Sequence, residues 1–231
     1  MGAALGWGAV AASSLVIGAV LALVRPWPDR VVGLVLGFGA GALVSAVAFE
    51  LFVEGVEEGN GLRWVALGLA LGALTYYALD GVVSRGGSAA GGSLALGAFL
   101  DGVPEQLVLG IGLVGGETVS VGLLAAIFVS NLPEAIGSAS AMRAGGRRDA
   151  EIVRLWVAVA AICTVATAGG FALADALSGE FKAIVNGFAA GALLVMLVDS
   201  MIPDATEKSG RTTGLVTALG FAISAGLSSV S

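Results

Sequence analysis

The sequence predicts an all-α, polytopic membrane protein, and three observations carry that prediction. Of 231 residues, 57% are hydrophobic and 12% charged, whereas ordinary soluble domains carry about 25% charged residues. Mean hydropathy is +0.97. The apolar residues fall in runs of about 20, the length a helix needs to span a ~30 Å hydrocarbon core, and short Gly- and Pro-marked connections separate them.

Eight transmembrane helices are expected, at 3–24, 31–53, 62–83, 93–114, 118–142, 150–175, 181–202 and 213–230. The first lacks a positively charged leader and is long for a signal peptide, so it reads as a membrane span. Pro26 and Pro28 precede the second, and Gly59–Gly61 separates the second from the third. The Gly/Ser run 86–93 leads into the fourth, and Gly145-Gly146 closes the fifth. No soluble domain is left over, so residues 1–231 form a single transmembrane domain. The 37 glycines suit close packing of membrane helices.

The basic residues orient the spans. With the N-terminus outside, the cytoplasmic connections hold Arg25, Arg30, Arg85, Arg143, Arg147, Arg148, Arg154, Lys208 and Arg211, and the outer ones only Arg63 and Lys182. Both termini are therefore expected outside. Bases so few and scattered exclude nucleic-acid binding. Cys163 is the one cysteine and there is no histidine, which removes disulfides, cysteine cages and the commonest transition-metal ligand.

A repeat is also visible. Gly37-Phe-Gly-Ala-Gly-Ala-Leu43 returns 150 residues later as Gly187-Phe-Ala-Ala-Gly-Ala-Leu193, continuing with Glu54 against Asp204 and Glu57 against Glu207. These segments cross the membrane in opposite senses, and an inverted repeat around a central helix pair is a transporter signature with its site near the midplane.

The central pair carries the chemistry. Asp101 and Glu105 share one face of the fourth segment, and Ser130 and Glu134 one face of the fifth, with Asn131 adjacent. Pro104 frees the carbonyl of Leu100, and Pro133 that of Val129. A charged carboxylate at mid-membrane costs at least about 2.5–3.5 kcal/mol. No Lys or Arg falls within either segment, so a cation or protonation must neutralise Asp101, Glu105 and Glu134. A divalent metal satisfies that balance. The alternative is that the prolines are plain kinks and protonated carboxyls bond across the pair.

These motifs resemble those of the ZIP (Zrt-, Irt-like protein) family of divalent-metal transporters. Its fourth helix typically carries His-Asn-x-Pro-Glu-Gly, against Asp101-Gly102-Val103-Pro104-Glu105-Gln106 here. Its fifth carries His or Gln, then Asn, Asp or Glu, then x-Pro-Glu-Gly, against Ser130-Asn131-Leu132-Pro133-Glu134-Ala135. Its seventh runs Gly-Phe-Ala-Ala-Gly through Ile-Pro-Glu, against Gly187 through Ile202-Pro203-Asp204. The resemblance implies eight helices in a 3+2+3 arrangement with inverted repeats. It implies Glu105 and Glu134 as core metal ligands, with Asp101 and Ser130 replacing His or Gln. Asn131 holds a second-site position, whereas Gly102 has lost its counterpart, which favours one oxygen-rich site. Oxygen ligands alone tilt toward Mn²⁺, Fe²⁺ or Mg²⁺, while family habit points to zinc. The metal is cargo and no resident cofactor is implied.

Among the other acids, Glu50 near the outer end of the second segment either starts an acidic mouth or sits at the interface, while Glu57 and Glu58 read as a solvated loop. Asp80 and Asp199 are candidate way-stations toward the cytoplasm, and Asp80 could instead pair with Arg85. Asp175 is assigned to the interface, and the tryptophans and tyrosines to interfaces or packing.

The expected function is transport of a divalent metal cation across a plasma membrane toward the cytoplasm by alternating access. The rival readings are a non-transporting ZIP-like metal sensor or scaffold and, further off, an intramembrane acid–base enzyme, for which no recognised catalytic motif is present. Gly-rich faces would permit a homodimer.

Overall fold

A computed structural model describes residues 1–24, 27–85, 92–113, 121–174 and 176–228. These are almost entirely helical, and no strand occurs among them. The helices are α1 (Gly2–Val24), α2 (Asp29–Ala46), α3 (Glu54–Glu58), α4 (Leu62–Arg85), α5 (Gly92–Gly112), α6 (Val121–Ala144), α7 (Asp149–Leu173), α8 (Gly179–Met196), α9 (Ile202–Ser209) and α10 (Thr212–Ser228). A π-helical stretch, Val47–Val53, joins α2 to α3, and another, Leu197–Met201, joins α8 to α9. Among the described residues, five continuous helices are long and apolar enough to cross a membrane: Gly2–Val24, Asp29–Glu58, Leu62–Val82, Asp149–Leu173 and Gly179–Ser209. Thr212–Leu227 is apolar but shorter.

Two segments run further than the sequence suggests. The second continues through Glu58 and the seventh through Ser209. The acids Glu54, Glu57, Asp204 and Glu207 mark where apolar sequence stops, and a helix needs no apolar residues once it leaves lipid. The loop expected around Glu57 and Glu58 is therefore a helical turn.

Glycine seams set the packing. Gly37 and Gly41 lie against Thr213 and Thr217, so α2 and α10 run parallel. Gly187 and Gly191 lie against Val65 and Leu69, so α4 and α8 do the same. Small residues let these backbones approach closely, the usual basis of helix association in lipid. The seam recurs at the 150-residue spacing read from the sequence, and so does the switch to π-helix, at Val47 and Leu197. The contacts follow the same exchange: α1 packs on α6 as α7 does on α5, and α2 on α6 as α8 does on α5.

Two large apolar clusters result among the described residues, beside a small one of Ala11, Leu109 and Ile127. One joins Leu36, Leu43, Tyr76, Leu193 and Met196 around α2 and α8, and the other joins Leu15, Met142, Ile152 and Trp156 among α1, α6 and α7. The outside is just as greasy, with Leu74, Tyr77, Val165, Val198 and Leu215 all more than 60% exposed. The interior meanwhile contains Ser14, Ser45, Glu105, Asn131 and Glu134. An apolar surface over a partly polar interior is what lipid as solvent requires.

A methyl group added at Gly41 would fall on the carbonyl oxygen of Thr217, whereas nothing lies within 4 Å of one at Gly214. Gly41→Ala is expected to cost about 1–3 kcal/mol of stability through overpacking, and Gly214→Ala to gain up to about 1 kcal/mol from helix propensity. Thermal unfolding of the two variants in detergent checks the pair, and equal midpoints would count against the seam.

Candidate functional site

Four helices form the inner part of the bundle. α5 and α6 pack on each other, α5 also on α8, and α6 also on α2. On α5, Pro104 interrupts the hydrogen-bond ladder one residue before Glu105, which is 3% exposed. On α6, Pro133 does the same before Glu134, which is 0% exposed. Pro133 fits because α2 offers Gly39 opposite it: a Cβ there would lie 2.8 Å from the proline ring. α5 carries no basic residue, and Arg143 of α6 sits in the last turn, nine residues beyond Glu134. Both glutamates are thus buried and follow a proline, on two helices that pack together.

Asn131 strengthens the site. It is 1% exposed, and neither amide atom has a hydrogen-bond partner among the described residues. A buried amide without partners costs free energy that a bound cation or water would recover at the oxygen. The side chains of Asp101 and Ser130 lie outside the described residues, although both backbones are helical. Among the described residues, no three acids or cysteines gather closely enough to hold a metal ion.

The candidate route residues separate. Glu50 is buried within the first π-helical stretch, and Asp80 is half-buried on α4. Asp199 is exposed, at the edge of an apolar groove between α4 and α8 lined by Leu69, Ala73 and Val198. Glu58 accepts a hydrogen bond from Asn186 at 3.2 Å, which ties α3 to α8 rather than leaving the acid in solvent. Asp175 and the side chain of Arg85 lie outside the described residues.

The sequence reading overlooked the seam behind Glu105. Gln106 is 1% exposed and accepts a hydrogen bond from the buried Thr167 of α7. Gly102 and Gly110, one helical turn to either side, lie against Cys163 and Thr167 of the same helix. The spacing 102, 106, 110 was visible as a stripe of two glycines and one amide, and it fixes the rotation of α5 against α7. Gln106 and Glu105 are adjacent, so holding one against α7 turns the other roughly 100° away around the helix.

The fold defines a helical membrane protein with two buried carboxylates on its inner helices. No protein-family model matches the chain. It is 29% identical over 191 residues to an Arabidopsis thaliana protein named "Putative zinc transporter", an alignment covering 77% of this chain and 30% of that protein. The chain thus spans about 30% of the length of the curated relative it matches.

Asn131→Leu removes the buried amide at nearly constant volume. In metal-free protein it is expected to raise stability by about 1–3 kcal/mol and to abolish any metal-dependent rise in the unfolding midpoint. Thermal unfolding with and without Zn²⁺ and Mn²⁺ checks both halves.

Proposed function

We propose that the protein carries a divalent metal cation across a membrane, and that it does so as a ZIP-like transporter. The observation that carries this reading is the burial of Glu105, Glu134 and Asn131 on two proline-broken helices that pack together at the centre of the bundle. The similarity to a protein named as a zinc transporter supports it, as do the repeated glycine seams and paired π-helical stretches.

In this reading the eight helical rods all span the membrane as 3+2+3. The central pair α5/α6 lies between two inverted triplets, and both termini face outside a plasma membrane. Glu105 and Glu134 bind the metal, aided by Asp101, Ser130, Asn131 and the carbonyls that the prolines free. The acidic mouth around Glu50 draws cations in, and Asp80 and Asp199 receive them on the cytoplasmic side. Carboxylate ligands select a cation over an anion, and the oxygen-only set admits Mn²⁺ and Fe²⁺ alongside Zn²⁺. Alternating access then requires the outer triplets to move against α5 and α6, exposing the site to one side at a time.

Uptake of Zn²⁺ and Mn²⁺ into proteoliposomes tests the proposal. Wild-type protein should accumulate metal, and Glu105→Gln and Glu134→Gln should each reduce the rate to background while remaining folded. Wild-type rates in both variants would sink the site. Binding without accumulation in the wild type would convert the carrier into a sensor.

A further inference from the structure

At one end of the bundle, the last turns of α1, α6 and α9 and the first turn of α2 enclose a cavity of about 290 Å³. Its polar lining is Trp27, Asp29, Ser140, Arg143 and Lys208, and alanines and Val32 form the rest. None of these residues belongs to the carboxylate site. The volume is near the lower edge of the roughly 300–1,000 Å³ usual for small-ligand pockets.

The two cations are oriented but not saturated. Arg143 donates through Nη1 to the carbonyl of Leu23 at 2.8 Å, and its Nε lies 3.5 Å from Asp149. A guanidinium has five donors, so others remain. Lys208 Nζ is 2.8 Å from Asp204 and has three protons to give. The hydroxyl oxygen of Ser140 is buried with no hydrogen-bond partner among the described residues. Trp27 donates its indole N–H to the carbonyl of Leu21 at 2.8 Å, which pins the ring at the end of α1.

We propose that this cavity seats the headgroup of a membrane phospholipid, one that carries both a phosphate and an amine. Arg143, Lys208 and the Ser140 hydroxyl take the phosphate, and Asp29 takes the ammonium. Basic pockets between membrane helices at the bilayer surface hold phosphate headgroups in this way, and tryptophan favours the same depth. The arrangement disfavours the alternatives. Each cation already has a carboxylate beside it and Asp29 adds another, so a zwitterionic headgroup fits the lining better than a bare anion. The apolar wall suits the glycerol end of a lipid better than a small soluble ion. The inference requires only that this end of the bundle meets headgroups, so it stands apart from metal transport.

Native mass spectrometry and thermal unfolding of the purified protein test it, with phosphatidylethanolamine, phosphatidylglycerol and inorganic phosphate as separate probes. Phosphatidylethanolamine should be retained most strongly and raise the midpoint most. The double variant R143Q/K208Q should bind both lipids about thirtyfold more weakly, as expected for two lost cation contacts. Asp29→Asn should keep phosphatidylglycerol binding and lose the preference for the amine headgroup. Should the double variant not fold, Asp29→Asn decides alone: an unchanged preference overturns the proposal. Equal lipid retention by wild type and double variant also overturns it, as does inorganic phosphate stabilising the protein as well as lipid does.

Discussion

Every break in the hydrogen-bond ladder of a membrane helix must be hidden from lipid, because no water is there to satisfy the freed groups. The four breaks among the described residues obey this constraint together. Pro104 and Pro133 interrupt α5 and α6, and the two π-helical stretches interrupt the rods that begin with α2 and α8. These are the four inner helices, whereas the rods without breaks, α1, α4, α7 and α10, cover them and face lipid. Regular helices outside and irregular ones inside is the organisation from which the rest follows. The glycine seams exist to bring an unbroken helix close against a broken one, α10 against α2 and α4 against α8.

That organisation also decides what the interior can tolerate. A carboxylate facing lipid has no remedy, but one between α5 and α6 sits among freed carbonyls and the Asn131 amide. Around them, donors as well as acceptors are buried with no hydrogen-bond partner among the described residues, Gln106 Nε2 and both amide atoms of Asn131 included, and each such group costs free energy until something pairs with it.

Much of this was legible in the sequence because lipid imposes a simple code. Segment length, the Pro-Glu pairs and the 150-residue echo from Gly37 to Gly187 are each one-dimensional signals, and the burial of Glu105 and Glu134 and the repeated seam follow them. Helix ends were less legible. Hydropathy locates the membrane boundary, and the rods pass through it to Glu58 and Ser209. The π-helical stretches left no signal, since Val47–Val53 contains neither proline nor glycine. Nor did Asn186 stand out, an amide that gains meaning only when the second rod's extension through α3 brings Glu58 within 3.2 Å.

The pairing of Gly102 with Cys163 explains why position 102 carries no side chain. A Cβ at position 102 would come within 3.1 Å of the Cys163 sulfur, and Cys163 is fully buried among the alanines and leucines between α1, α6 and α7. Any side chain at 102 would have to displace that sulfur. Glycine at 102 and cysteine at 163 are therefore two sides of one contact. It closes the space on the α7 side of α5, just as the Thr167–Gln106 hydrogen bond does one turn further along. The α7 side of α5 is thus filled by packing, and Glu105, about 100° around the helix from Gln106, is left to a different side of α5.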